Sequence, residues 1–154
     1  MSWANVVGIL KHEFSDLGDL SDLTRVCLRL VVAIVLGALL GYERESRGAS
    51  AGLRTHMLVS LGSALFVLVP LQAGMAIEDL SRVLQGVAAG IGFLGAGAIL
   101  KLNDEQAVKG LTTAAGIWLT CAVGVAAGMG LEATAVLSTV FALVIFSLMR
   151  FTKK

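Results

Sequence analysis

Apolar and polar positions separate along this chain into long blocks. Five runs, Val26–Tyr42, Met57–Leu71, Val83–Leu100, Leu111–Ala127 and Ala133–Met149, each hold 15 to 18 residues with almost no charge. A helix rises about 1.5 Å per residue, so each run approaches the ~30 Å of a bilayer's hydrocarbon core. The pattern predicts five short membrane-spanning helices forming one all-α polytopic bundle over residues 23–150. Arg25 and Arg29 open the first span, placed to snorkel to the headgroups. Arg54, Thr55 and His56 can join the first turns of the second, and Pro70 marks its end. Gly128-Met129-Gly130 leaves a very tight connection between the last two spans.

Ahead of the spans, Trp3, Val6, Val7, Leu10, Phe14 and Leu17 recur at helical spacing among charged residues. Residues 1–22 therefore read as a short amphipathic segment at the membrane interface. With only Lys11 near the start, they do not resemble the basic opening of a cleavable signal. Residues 151–154 read as a short basic tail.

Composition settles the class. The chain is 56% hydrophobic and 15% charged, with a mean hydropathy of +0.86, whereas a soluble domain carries about a quarter charged residues. A net charge of +1 gives no basis for nucleic-acid binding. Cys27 and Cys121 both fall inside spans, far apart, with no ligand partner at metal-binding spacing. No phosphate-binding loop, metalloprotease or hydrolase motif occurs, so neither an enzyme nor a cofactor is expected.

Basic residues predict the orientation. Arg44, Arg47, Arg54, Lys101, Lys109, Arg150, Lys153 and Lys154 fall on one side of a five-span topology, and Lys11, Arg25, Arg29 and Arg82 on the other. The richer side belongs in the cytoplasm, which puts the C-terminus inside and the N-terminus outside.

Glycine, 18 of 154 residues, concentrates in the spans. Gly86, Gly90 and Gly97 share one face of the third, with Ala88, Gly92 and Gly95 roughly opposite. A helix small on both sides predicts a central position, packed from each flank. The fourth carries a stripe of Thr113, Gly116, Thr120 and Gly124. Gly37/Gly41 and Gly124/Gly128 add further small-xxx-small pairs, which suit intramolecular packing and homodimerisation equally.

The densest charge lies between the first two spans: Glu43, Arg44, Glu45, Arg47, Arg54 and His56, with Thr55 beside them. Three readings compete. Arginines can anchor the membrane boundary, with Glu43 and Arg47 paired at i,i+4. Arg54 can reach Glu43 or Glu45 and latch the two spans together. The cluster can also bind a ligand. Magnesium wants carboxylate and water oxygens; Glu43 and Glu45 can supply them here, and Asp79 offers another carboxylate on the opposite side of the membrane, but Arg44, Arg47 and Arg54 oppose a dication at the cluster. Three arginines suit a phosphate or an anionic lipid headgroup better. A second polar group, Asp79, Arg82 and Gln85, opens the third span, where Asp79 can cap the helix.

Three blocks in order carry a resemblance. Gly41-Tyr42-Glu43-Arg44-Glu45 with Ala51-Gly52-Leu53-Arg54-Thr55-His56 and the run to Phe66, then Gly90-Ile91-Gly92-Phe93-Leu94-Gly95-Ala96-Gly97-Ala98-Ile99, then Val108-Lys109-Gly110-Leu111-Thr112-Thr113-Ala114-Ala115-Gly116-Ile117-Trp118 resemble the MgtC/SapB family of bacterial inner-membrane proteins. Asp79, Arg82 and Gln85 match that family's acidic, basic and amide positions. The resemblance implies adaptation to low magnesium and, in pathogens, survival inside macrophages. It implies action by binding and modulating membrane proteins such as ATP synthase or cation ATPases. The alternative is a small magnesium or other cation transporter or channel built from an oligomer. The partners expected are therefore the lipid bilayer, other membrane proteins, an anionic lipid and a second copy of the chain. Ending at Lys154, the chain is expected to lack the soluble C-terminal domain of longer members.

Overall fold

The computed structural model describes residues 3–101 and 108–148. Arg150, the basic tail at 151–154 and the linker at 102–107 lie outside the described residues. Six α-helices are described: α1 (Trp3–Glu13), α2 (Leu20–Ser46), α3 (Leu53–Gln72), α4 (Leu80–Ala98), α5 (Leu111–Gly128) and α6 (Glu132–Leu148). A 3-10 turn, Ile77–Asp79, leads into α4, and a two-stranded ladder, β1 (Leu100–Lys101) and β2 (Val108–Lys109), ties α4 to α5.

Four helices, α2, α3, α4 with its 3-10 turn, and α5, are long and apolar enough to cross a membrane. The 17 residues of α6 reach about 25 Å, near the lower limit for a span. The helices outrun the apolar runs because their polar ends stay helical. Capped by Asp19, α2 starts at Leu20, six residues before Val26, with the Asp19 carboxylate accepting from the Asp22 amide at 2.8 Å. Burial is low for a soluble protein but ordinary for a bundle bathed in lipid, and large apolar side chains cover the outside of α6.

The centre of the bundle is α5, which touches α2, α3, α4 and α6. Half of its spanning window is buried, against 11% for α4. The expectation of a central third span is thus corrected. Gly86, Gly90, Gly92 and Gly97 meet nothing within 4 Å of a built Cβ, and only Gly95 packs, against Ala114 of α5. Small size permits close approach without specifying which neighbour takes it.

The paired glycines of α2 and α5 are spent inside the chain. A Cβ on Gly37 would stand 2.7 Å from the His56 carbonyl and one on Gly41 2.7 Å from the Leu53 Cα. Gly124 lies against the backbone of Ser60, and Gly128 against that of Ala64. The helix α3 is therefore clamped between α2 and α5 at backbone distance. At the α5–α6 turn, Gly130 takes φ +80°, a left-handed value that favours glycine. Arg29 does not reach outward to headgroups. Its Nη1 donates to the Gly128 carbonyl at 3.2 Å, holding α2 to this turn.

Candidate functional site

The inward stripe of α2 runs Ala33, Leu36, Gly37, Leu40, Gly41 and then Arg44. These positions keep the three-and-four spacing of one helix face, so helical phase carries Arg44 inward while its neighbours turn out. Arg44 is 7% exposed. Its Nε donates to Glu43 Oε2 at 2.5 Å, and its Nη2 pairs with the same oxygen. The guanidinium plane lies over the Phe146 ring of α6, 3.8 Å from the centroid. Arg47 Nε approaches the other oxygen, Glu43 Oε1, at 3.2 Å, so one carboxylate bridges two arginines and the expected i,i+4 pair is present.

The matching stripe of α3 is His56, Val59, Ser60, Ser63, Ala64, Val67 and Leu68. His56 is fully buried, with Nδ1 2.9 Å from the Gly52 carbonyl. A carbonyl only accepts, so Nδ1 holds the proton and Nε2 presents a lone pair. That lone pair has no hydrogen-bond partner among the described residues, and neither has the buried hydroxyl of Ser60 one turn on. Gly116 of α5 makes the room: a Cβ there would stand 3.4 Å from Phe146 and 3.6 Å from His56 Nε2. Elsewhere in the stripe Thr120 bonds the Gly116 carbonyl at 2.9 Å, while Thr113 is buried and Thr112 half-buried.

The latch between the first two spans differs from the expected one. Arg54 is exposed and makes no hydrogen bond or ion pair among the described residues. Glu45 joins the helices instead, its Oε2 accepting from the Leu53 amide at 2.7 Å and so capping α3. The carboxylate occupies the space where a Cβ on Gly52 would sit, which is why the cap position is glycine. Gly48, at φ +69°, turns the chain between the two. A carboxylate at a helix N-terminus also meets the positive end of its dipole.

The second polar group does not gather. Asp79, Arg82 and Gln85 are all exposed, and Asp79 holds the cap position of α4 without a side-chain cap bond. Because α3 and α4 run antiparallel, Asp79 sits about 30 Å from Glu43, a full helix length away. No group of three or more His, Cys, Asp or Glu side chains comes together among the described residues.

Phe146, Ser60, Ser63 and Gly52 complete the polar centre, and the sequence reading did not single them out. The serines keep step with His56 along one face of α3, a signal available from spacing. Phe146 had no such signal, because only the tertiary fold brings α6 to Arg44.

Residues 30–154 match the MgtC family. Protein SrpB of Synechococcus elongatus is 47% identical over 137 residues, covering 82% of this chain and 75% of that protein. YhiD of Escherichia coli K12, named as a candidate magnesium transporter, is 41% identical over 125 residues, covering 77% of this chain and 57% of YhiD. Protein MgtC of Brucella abortus is 43% identical over 129 residues, covering 82% of this chain and 51% of that protein. The chain thus spans three-quarters of SrpB and just over half of the other two. No solved structure matches.

Proposed function

The chain belongs to the MgtC family, and from that premise we propose that it works without catalysis, by binding and modulating other membrane proteins through the outward face of α4. It does so as a multi-pass protein of the bacterial inner membrane, with its N-terminus outside and its C-terminus in the cytoplasm, in the adaptation to low magnesium associated with the family.

One contrast between helices carries this reading. The exposed face of α6 is bulky: Val136, Leu137, Val140, Phe141, Val144 and Ile145. The outer side of α4 carries the bulky Phe93 and Leu94 but also a strip of small or polar residues, Gln85, Ala89, Gly92 and Ala96, all exposed and spaced at three and four. Bulky aliphatic side chains suit lipid, while small ones let a second backbone come close and Gln offers it a hydrogen bond. Behind that face the Arg44–Phe146 contact ties α2 to α6.

The test is site-specific photocrosslinking in native membranes. A photoreactive residue at Gly92 should give discrete adducts with a membrane protein, and the same residue at Val140 should not. Equal labelling at the two sites, or none at Gly92, would remove the support for α4.

A cation-transport reading draws on the name of YhiD. It requires magnesium flux into vesicles containing the purified chain, lost in Glu43→Gln or Asp79→Asn. Correctly folded protein without flux would reject it.

A further inference from the structure

We propose that the crevice between α3 and α4 is the binding site for one acyl chain of an anionic phospholipid, whose headgroup lies at Arg54. Where α4 leans on α5, it parts from α3 and leaves a cavity of about 550 Å³ lined by Gly62, Phe66, Gly86, Gly90 and Leu94, with Ser63 and Cys121 also in its wall. A second cavity, of about 450 Å³, shares Leu94 and runs on past Phe93 and Gly97 to Ser50 and Thr55. The two cavities meet at Leu94, giving a largely apolar groove with the Ser50 and Thr55 hydroxyls at one end.

Length and apolar lining suit an alkyl chain. From Val83 to Leu94 the apolar part follows α4 for roughly 16 Å, about the depth of one leaflet of a ~30 Å hydrocarbon core. An alkyl chain, about 4 Å wide, can lie along it. Gly86 and Gly90 keep the groove open, since a Cβ on either would meet nothing.

Charge chooses the headgroup. At this end of the bundle both nearby carboxylates are engaged, Glu43 with Arg44 and Arg47, Glu45 with the Leu53 amide. Arg54, next to Thr55 at the mouth, is exposed and has no acidic partner among the described residues. A phosphodiester there meets the guanidinium while its chain lies against α4. The site adjoins the outward face proposed for protein contact and shares Ala96 with it, but it makes a separate claim about what fills the groove.

The test reconstitutes the full chain in vesicles of equal phosphatidylglycerol and phosphatidylethanolamine, extracts it gently and weighs it by native mass spectrometry. Wild-type protein should keep one phosphatidylglycerol. Gly90→Leu, which fills the groove, should lose it, while Val140→Leu on the lipid-facing side of α6 should retain it. Arg54→Gln, on an exposed side chain with no hydrogen bond or ion pair among the described residues, should keep a lipid but lower the preference for the anionic one about fivefold. Retention by Gly90→Leu, or an unchanged preference in Arg54→Gln, would overturn the assignment. So would a lipid-free wild-type dimer that Gly90→Leu disperses, which would give the groove to a second copy.

Discussion

Replacing Gly124 by alanine tests the clamp on α3 most directly. The added methyl would lie 2.8 Å from Ser60 Cα and 2.9 Å from its carbonyl carbon, and closer still to the carbonyl oxygen. These are backbone atoms of a fully buried residue, so no rotamer change relieves them. Carbon contacts settle at about 3.5–4.0 Å, so α5 has to withdraw by about 0.6–1 Å. A gap of that size forfeits a quarter to a half of the dispersion along the seam. Overpacking of this kind costs about 2–3 kcal/mol, and the better helix propensity of alanine returns at most about 1 kcal/mol. The net loss is therefore about 1–2 kcal/mol. Gly90→Ala supplies the contrast, because its methyl meets nothing and only the propensity gain remains. Unfolding in micelles by rising detergent denaturant, followed by circular dichroism, measures both. Gly124→Ala as stable as wild type, or Gly90→Ala weakened equally, would refute the assignment of α5 as the packed centre and α4 as the open helix.

Other expectations follow from the polar centre and the caps. Glu45→Ala should uncap α3, lowering stability by about 1 kcal/mol and speeding amide exchange at Leu53, whereas Glu45→Gln keeps an acceptor and most of the effect. Arg44→Leu should cost about 3 kcal/mol, since it strips Glu43 of its closest cation, and Phe146→Leu about 1 kcal/mol for the lost ring contact; the same denaturation assay separates them, and equal losses would argue against the carboxylate as the stronger of Arg44's two contacts. Hydrogen bonds from the Asp22 amide and then the Ser21 hydroxyl hold the Asp19 carboxyl below its ordinary value. The cap's contribution is then full above the unfolded carboxylate range and fades as pH falls through the lowered value. Exchange at the start of α2 should rise in acid for wild type but stay flat in Asp19→Asn, and parallel behaviour would dismiss the cap.

The helices were legible because apolar runs of span length have few other uses, and the i,i+4 partnership of Glu43 and Arg47 because a continued helix forces it. The fate of the glycines was not. Gly37, Gly41, Gly124 and Gly86 are chemically alike, yet three lie against backbone and one against nothing, a difference set by which helices the loops bring together. Arg44 was grouped with its charged neighbours, although its phase with Ala33, Leu36, Leu40 and Gly41 already pointed inward. The choice of Glu45 over Arg54 as the latch depends on the turn at Gly48 and the bare N-cap at Gly52, a loop geometry that charge patterns do not encode. Asp79, Arg82 and Gln85 looked like a group only because they are close in sequence.

The stacking of Phe146 on Arg44 also sets an order of assembly. The guanidinium enters the membrane boundary with α2, but the ring that covers it arrives about a hundred residues later, with α6. Throughout synthesis and insertion of α3, α4 and α5, one face of that charge stays open to lipid or to the insertion machinery. A chain interrupted before α6 therefore carries an uncovered arginine that the finished protein conceals. Closure of the polar centre thus waits for the last described helix.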